Sequence, residues 1–446
     1  MTASASGLLT DLYELNMAAS YLRRGMRGLA TFSLFVRSLP PSRGFLVAAG
    51  LEPTLEFLEG FRFEEDELRF LGEELRFTDA DLEAFRSVRF TGDVWAMPEG
   101  TVAFAGEPLL EITAPIAEAQ LVETVVLNQL TLHTTIASKA ARVGIAAAGR
   151  EVVDFAFRRT QGVEAAMAVA RATAIVGFGG TSNVEAARRY GLRPVGTMAH
   201  SYVQSFPTEA DAFRAFAADF PHRTTFLVDT YDTSSGVRAA IETVRALGLT
   251  DRLGIRIDSG DLDELSREAR RILDEAGLPG VRIFASGGLD EHDVDELVRG
   301  GAPIDAFGVG TRVGVSADAP FLDTAYKLVE FEGRPLMKLS PAKVSAPGAK
   351  QVFRVPGMSD EVVALRDEPV PAGARALLAP VMRGGRRVAP AEDIPRARGR
   401  FEVDLAELPE QARDVRAPRP VPVRLSLAAA RLLDRSRADI LRRVGG

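Results

Sequence analysis

The chain has 446 residues, more than a single hydrophobic core usually serves, so two domains or one large barrel with additions are expected. With 46% hydrophobic and 26% charged residues, the composition excludes disordered, collagen-like and membrane-embedded classes. A formal net charge of -7 gives no general attraction to nucleic acid, and the lack of cysteine excludes disulfide frameworks and thiolate chemistry. No secretion signal or long apolar stretch is evident, so we expect a cytoplasmic protein.

Residues 1–150 predict an α+β domain. Acidic helical material spans 64–85, and strands punctuated by Gly and Pro are predicted near 88–95 and 101–114. Residues 321–446 form a third segment, in which 328–338 reads as a hairpin and the chain end as a basic helix.

Residues 151–320 alternate short apolar runs with amphipathic stretches, the pattern of repeated βα units around a parallel sheet. Seven strands are predicted, at 152–157, 174–178, 194–197, 225–229, 253–258, 281–285 and 305–309. The helix after the fourth strand begins at a cap formed by Thr233, Ser234 or Ser235 and ends before Gly248. The repeat length predicts an irregular (β/α) barrel of about seven to eight units, with a doubly wound open sheet as the alternative.

Ligands of barrels and open α/β sheets bind at the carboxyl ends of the strands, where polar residues collect in this sequence. The strand-end residues considered are Phe155, Arg158, Arg159, Thr181, Ser182, His200, Asp229, Asp232, Arg256, Asp258 and Asp261. The carboxylates could bind Mg²⁺ or ribose hydroxyls, although Asp261 could equally cap the next helix. The arginines could bind carboxylate or phosphate, or form surface ion pairs, and Phe155 could stack on an aromatic substrate or lie in the core.

Two glycine loops follow the last two strands. Ser286-Gly287-Gly288 and Gly308-Val309-Gly310-Thr311 remove side-chain obstruction in front of helix N-termini, a combination that binds phosphate. Tight turns without a ligand are the alternative for each loop.

His200 is one of four histidines, and only it ends a predicted barrel strand. A neutral imidazole can attack a phosphate and form a labile N–P bond. The others, His133, His222 and His292, lack that placement.

Lysine is rare here. Only five of the 54 basic residues are lysine, namely Lys139, Lys327, Lys338, Lys343 and Lys350. Because an ammonium and a guanidinium are not equivalent, we expect some to lie where arginine would not fit, with chance survival as the alternative.

Together these motifs resemble nicotinate phosphoribosyltransferases in order and approximate spacing. The resemblance spans Leu9 to about Lys350 and is carried by 9–15, 157–162, 180–183, 196–201, 256–261, 286–290 and 326–330. It implies a flanking domain built from both chain ends and a homodimer with shared active sites. It also implies transfer of ribose 5-phosphate from phosphoribosyl pyrophosphate to nicotinate, with Mg²⁺ and with coupled ATP hydrolysis.

By this resemblance His200 takes the γ-phosphate of ATP and becomes a phosphohistidine. Phe155 would stack on the pyridine ring and Tyr13 of the partner subunit would cover its other face. Arg158 and Arg256 would contact carboxylate, ribose or phosphates, and Asp258 would hold the ribose hydroxyls. Asp229 and Asp258 are the predicted Mg²⁺ ligands. The remaining predicted substrate-binding residues are Lys139, Thr181, Ser182, Ser286, Gly287, Gly288, Gly310 and Thr311.

Three alternatives stay open. Nicotinamide-using relatives carry Asp at the position of Ser182, so the neutral hydroxyl here favours the acid. A quinolinate phosphoribosyltransferase would need a basic pocket for two carboxylates and no phosphohistidine. A catalytically silent regulator that binds phosphorylated ligands is the third, and the intact motif residues argue against it.

Overall fold

The computed structural model describes residues 5–250, 253–339 and 345–444, and the chain divides into two units. The first comprises the residues up to Ser138 together with those from Phe321 onward, and the second comprises Lys139–Pro320. None of the helices in the described ranges is both long and apolar enough to cross a membrane.

The N-terminal part of the first unit contains helices and short strands in mixed order. Its helices are α1 Leu12–Arg23, α2 Leu51–Gly60, α3 Glu65–Glu73, α4 Asp79–Ser87, α5 Ile116–Leu121 and α6 Glu123–Ala146, the last of which runs past the unit boundary. Its strands are β1 Leu29–Val36, β2 Leu46–Val47, β3 Asp93–Ala96, β4 Val102–Ala103 and β5 Pro108–Pro115.

The second unit alternates strands with helices. Its strands are β6 Glu151–Asp154, β7 Thr225–Leu227, β8 Gly254–Ile257, β9 Arg282–Ala285 and β10 Ala306–Val309. Its helices are α7 Val163–Ile175, α8 Val184–Tyr190, α9 His200–Gln204, α10 Glu209–Asp219, α11 Thr233–Leu247, α12 Leu262–Glu275, α13 Glu291–Arg299 and α14 Thr311–Gly314.

The C-terminal part of the first unit is mainly strand, followed by helices. Its strands are β11 Thr324–Phe331, β12 Arg334–Pro335, β13 Lys350–Arg354, β14 Glu361–Leu365, β15 Arg375–Ala376, β16 Ala379–Arg383, β17 Arg386–Arg387 and β18 Val423–Leu425. Its helices are α15 Ile394–Glu407, α16 Glu410–Arg413 and α17 Leu427–Val444. The hairpin predicted at 328–338 is confirmed as β11 and β12 around Gly333.

Both chain ends contribute to the main sheet of the first unit. Within the described residues, seven strands form an antiparallel sheet in the order β12-β11-β1-β5-β3-β16-β17. Phe32 of β1 and Tyr326 of β11 stack with ring centroids 4.7 Å apart, and the buried Tyr326 hydroxyl donates to the Ala119 carbonyl. Burial of these apolar side chains fixes the pairing of N-terminal with C-terminal strands.

The second unit has a parallel sheet in a cyclic order. Described pairings run from an isolated bridge at Pro194 through Thr181 to β6, then to β10, β9, β8 and β7. The first strand therefore pairs with the last, as in a barrel interrupted between its third and fourth positions. The predicted α/β class is confirmed, and closure of the barrel at that interruption stays a prediction.

Two of the seven predicted strands are wrong. Residues 174–175 end the helix α7, and the second position of the sheet is a single bridge at Thr181. The run 166–176 is buried almost throughout, so a buried helix end showed the same apolar pattern as a strand. The third position is also one bridge, at Pro194, whose missing N–H limits pairing.

Helix ends follow local capping chemistry. The cap of α11 is Asp232, whose side chain accepts from the Ser235 N–H at 2.9 Å. The predicted cap at 233–235 is therefore wrong, since the true cap precedes those residues. Gly248 ends this helix in the left-handed conformation, as expected. Asp261 caps α12 through the N–H groups of Asp263 and Glu264, which confirms the capping interpretation.

A buried charge cluster joins the C-terminal segment to the N-terminal part of the first unit. Arg354 donates to Glu361 at 2.6 Å, to Asp404 at 2.8 Å and to the Val102 carbonyl at 2.7 Å. Glu107 lies beside Glu361, and burial together with that neighbour raises the pKa of Glu107 to about 8. The two carboxyl groups therefore share a proton at neutral pH.

Replacement of Glu107 by Gln is expected to make stability less dependent on pH. Folded Glu107 keeps its proton up to about pH 8, whereas the unfolded carboxyl has its ordinary pKa of 4.5. The stability that the proton provides is present below the lower value and is lost as pH rises through the upper one. Urea unfolding should therefore show E107Q gaining on the parent between about pH 5 and about pH 9.

The exposed Glu73 of α3 supplies the matched control. E73Q should differ from the parent by the same amount at every pH. A constant difference for E107Q as well would contradict the shared proton.

Candidate active site

Asp154, at the end of β6, organises the turns on its side of the sheet. Its carboxylate accepts from the Thr181 hydroxyl at 2.6 Å and from the Ala156 N–H at 2.7 Å. Its carbonyl accepts from the Ser182 N–H at 2.8 Å. Burial raises the pKa of Asp154, against the effect of both donors. One buried side chain thus fixes the loops that carry Phe155 and Ser182.

The Phe155 ring packs against Gly308 of the neighbouring strand β10. Its N–H donates to the Val309 carbonyl at 2.7 Å, and its ring lies 5.7 Å from that of Phe284. A Cβ on the buried Gly308 would lie 2.7 Å from the Phe155 ring. The half-buried ring therefore needs glycine at that position.

His200 begins α9 and contacts residues that follow two other strands. Its Nδ1 lies 3.2 Å from the Thr230 hydroxyl oxygen. Its Nε2 lies 3.9 Å from Asp258 Oδ2, beyond hydrogen-bond range, so that carboxylate does not hold an Nε2 proton. With the His200 side chain 40% exposed, an unprotonated Nε2 is available to a ligand when Nδ1 carries the proton.

Arg256 and Asp229 contact the segments that surround this histidine. Arg256 Nη2 donates to the Met198 carbonyl at 3.1 Å, and burial lowers the pKa of the guanidinium although Asp258 and Asp229 oppose that shift. Asp229 Oδ2 accepts from the Asp258 N–H at 2.9 Å and from the Ser259 hydroxyl at 2.6 Å. Among the described residues, Arg256 Nε and Asp229 Oδ1 are buried without a hydrogen-bond partner. Such atoms indicate a place for ligand atoms.

Asp229 and Asp258 offer carboxylate oxygens that would fit an Mg²⁺ ion. Asp229 Oδ1 has no donor in the described structure, and Asp258 Oδ2 faces His200. In the described ranges no three His, Asp or Glu residues are grouped as a metal site. Mg²⁺ commonly uses one or two carboxylates and completes its shell with substrate phosphate and water. The donor set suits such an ion.

The two glycine loops lie on neighbouring strands. Ser286 donates its hydroxyl to Asp258 Oδ1, and Gly287, at φ 109°, passes so close that a Cβ would lie 2.0 Å from the Asp258 carbonyl oxygen. This close approach and this backbone conformation both require glycine. Gly310 caps the short helix α14. β9 and β10 pair directly, so both loops lie at one edge.

The remaining predicted site residues have diverse positions. Arg158 is exposed in a 3-10 turn, and Ser182 is half-buried. The Thr181 hydroxyl is used internally by Asp154. Lys139 is 1% exposed and pairs with Glu291 at 2.5 Å.

Tyr13 lies on α1 of the first unit, and its side chain is half exposed. Burial and the neighbouring Glu123 and Glu14 raise the pKa of its hydroxyl, which therefore stays protonated.

Sequence reasoning missed three residues that shape the site. Asp154 ends a buried strand, and because a carboxylate is rarely buried without a partner, its position alone indicates a structural or functional role. Thr230 follows Asp229 and Arg312 follows Thr311, both of them predicted site residues. The hydrogen-bond partners of Thr230 and Arg312 lie in distant segments of the chain. No spacing rule connects residues 30 positions apart in different βα units.

Comparison with known proteins decides the family. The family models described as nicotinate phosphoribosyltransferase (NAPRTase) N-terminal domain and NAPRTase family match residues 8–131 and 150–351. The chain is 50% identical to nicotinate phosphoribosyltransferase pncB2 of Mycobacterium tuberculosis over 415 residues, 92% of this chain and 89% of the relative. This chain belongs to the nicotinate phosphoribosyltransferase family.

Two further relatives agree with that assignment. The nicotinate phosphoribosyltransferase of Bacillus subtilis is 43% identical over 380 residues, 81% of this chain and 77% of the relative. The crystal structure of human nicotinic acid phosphoribosyltransferase superposes with a TM-score of 0.85 at 27% identity, covering 96% and 99% of the two chains. The resemblance inferred from the motifs to the nicotinate phosphoribosyltransferase family is therefore confirmed.

In this family member, Gly308→Ala is expected to displace the Phe155 ring. A methyl group 2.7 Å from that ring must push it aside. The KM for nicotinate should rise on the order of tenfold to a hundredfold, as misplacements of about 1 Å can do. Steady-state kinetics with nicotinate as the varied substrate measures the effect.

Gly280→Ala is the matched control, because its Cβ would meet nothing within 4 Å. Its kinetics should equal those of the parent. An unchanged KM in G308A would show that the ring does not define the nicotinate site.

Proposed function

We propose that this protein is an ATP-coupled nicotinate phosphoribosyltransferase. It would join nicotinate to phosphoribosyl pyrophosphate and release nicotinate mononucleotide and pyrophosphate, a step of NAD biosynthesis. The observation that carries the proposal is the grouping of His200, Asp258 and Arg256 at one edge of the sheet, in a chain of this family.

The first step is phosphoryl transfer to His200. Nε2 attacks the γ-phosphorus of ATP, an N–P bond forms, and the bond to the bridging oxygen breaks so that ADP leaves with the electron pair. The Thr230 hydroxyl oxygen, 3.2 Å from Nδ1, accepts a hydrogen bond from the Nδ1–H group, and this tautomer keeps the Nε2 lone pair available. Water later attacks the phosphorus, and the N–P bond breaks to release phosphate.

The second step is transfer of the sugar. The bond between C1 of the ribose and pyrophosphate breaks as the pyridine nitrogen bonds to C1, and no general base is needed because that nitrogen carries no proton. Arg256, which is positive and largely buried, would stabilise the departing negative charge, and Asp258 would bind ribose hydroxyls. Asp229 and Asp258 would hold Mg²⁺, which would supply further neutralisation of negative charge.

Substrate choice lies with Phe155, Arg158 and Ser182. Phe155 offers a ring face for the pyridine, Arg158 a guanidinium for the carboxylate of nicotinate, and Ser182 a neutral hydroxyl. Tyr13, on the other unit of the chain, would cover the pyridine from a partner subunit in a homodimer. The hydroxyl of Tyr13 stays neutral and does not repel the acid.

Incubation with γ-labelled ATP is expected to label His200 alone. The label should be acid-labile and stable to base, as for a phosphoramidate, and peptide mapping should find it on the peptide containing His200. His200→Asn should remove the label and abolish ATP hydrolysis, so that any remaining phosphoribosyl transfer no longer depends on ATP.

His222→Asn provides the control, since His222 is exposed in a turn outside the site. It should be labelled like the parent. Label on any other residue, or no label at all, would contradict the coupling step. Phosphoribosyl transfer would then be measured separately, in the absence of ATP.

Ser182→Asp is expected to lower the preference for nicotinate over nicotinamide. A carboxylate about 4 Å from that of nicotinate, at an effective dielectric constant of about 20, repels it by about 4 kcal/mol. That corresponds to a loss of up to about a thousandfold in kcat/KM for nicotinate.

Ser182→Asn, similar in shape to Asp but neutral, is the matched control. Assays with nicotinate, nicotinamide and quinolinate, run separately, measure the preference. Retention of full nicotinate selectivity in S182D would refute the role of Ser182. Turnover of quinolinate alone, or ligand binding without any turnover, would instead favour the alternative enzyme or the silent regulator.

A further inference from the structure

The helix α13, which follows the Ser286-Gly287-Gly288 loop, begins with an excess of negative charge. Asp290 is its cap and accepts from the N–H groups of His292 at 2.9 Å and Asp293 at 3.2 Å. Glu291 and Asp293 lie in its first turn. These carboxylates stabilise the helix, but they also oppose binding of a phosphate at the same end.

Each of the three carboxylates has a cation beside it. Arg312 Nη1 lies 2.6 Å from Asp290 Oδ2 and 2.9 Å from Asp293 Oδ2. Lys139 Nζ lies 2.5 Å from Glu291 Oε2, and Arg142 Nε lies 3.1 Å from Oε1. The Glu291 cluster is fully buried, whereas the Arg312 side chain is 47% exposed.

Arg312 also connects the two glycine loops. It follows Gly310-Thr311 after β10, while its partners Asp290 and Asp293 follow the loop after β9. Burial favours the neutral acid at Asp290, but backbone N–H groups and Arg312 outweigh that effect and lower its pKa. The carboxylate therefore stays ionised and requires its counter-charge.

We propose that Arg312 is a positioning residue of the phosphate site, acting through Asp290 and Asp293. It neutralises the start of α13 and holds the Gly287-Gly288 loop against the Gly310-Thr311 loop, so that both face the 5-phosphate of the sugar. This inference rests on the proposed function, in which those loops bind that phosphate. A role in direct phosphate contact is the competing interpretation.

The test measures binding of ribose 5-phosphate by calorimetry, which needs no turnover. R312A should weaken binding about tenfold, because two carboxylates near the phosphate lose their counter-charge. R312K, which keeps the charge, should bind within about threefold of the parent. R312Q keeps a donor for Asp290 without the charge and should weaken binding like R312A, so it carries the test if R312A folds poorly.

Charge restoration separates positioning from direct contact. Adding Asp293→Asn to R312A removes one of the two uncompensated carboxylates but leaves an oxygen for the Asp290 N–H, and should recover part of the affinity. No recovery in the double variant would overturn the positioning role in favour of direct contact. The KM for phosphoribosyl pyrophosphate should follow the same order, with kcat and the KM for nicotinate unchanged.

Arg299→Ala is the matched control, since Arg299 pairs with Asp295 at the opposite end of the same helix. It should bind ribose 5-phosphate like the parent. Parent-like binding by R312A would overturn the inference while nicotinate turnover continues. If the parent protein neither binds ribose 5-phosphate nor transfers it, the proposed function fails instead, so the two failures are distinguishable.

Discussion

The parallel pairing of β6 with β10 is the constraint on which the second unit depends. It joins the first strand to the last, and because every described pairing of this sheet is parallel, the carboxyl ends of its five strands lie at one edge. Phe155 and the Gly310 loop become neighbours through this pairing, with the Phe155 N–H donating to the Val309 carbonyl. The need for glycine at 308 follows, because the ring lies directly over that strand.

The interruption between the third and fourth positions of the sheet gives His200 its surroundings. Described backbone pairing does not join Pro194 to β7, and side chains span this place instead. His200 approaches Thr230, and Arg256 donates to the Met198 carbonyl. Without a continuous ladder, the segment before His200 has fewer backbone constraints than its neighbours.

The sequence predicted the α/β class and five of the strand positions, because regular βα alternation is a local pattern. It placed His200, Asp258 and the glycine loops at strand ends on the same ground, and the structure brings His200 within 3.9 Å of Asp258. The second strand was wrong because an alanine-rich helix, buried on most sides, lacks the polar face that marks a helix. Asp154 and Arg312 could not be assigned roles, since their hydrogen bonds connect separate βα units.

At two of the five lysine positions, the structure gives a physical reason for lysine rather than arginine. Lys139 lies between Glu291 and Asp318, and Lys350 donates to the carbonyls of Ala346 and Gly348 beside Glu111. Both are buried where oxygens converge on one point, a geometry that an ammonium satisfies and a planar guanidinium does not. Lys343 lies outside the described residues. At Lys139 the ammonium neutralises Glu291, a buried carboxylate in the first turn of α13.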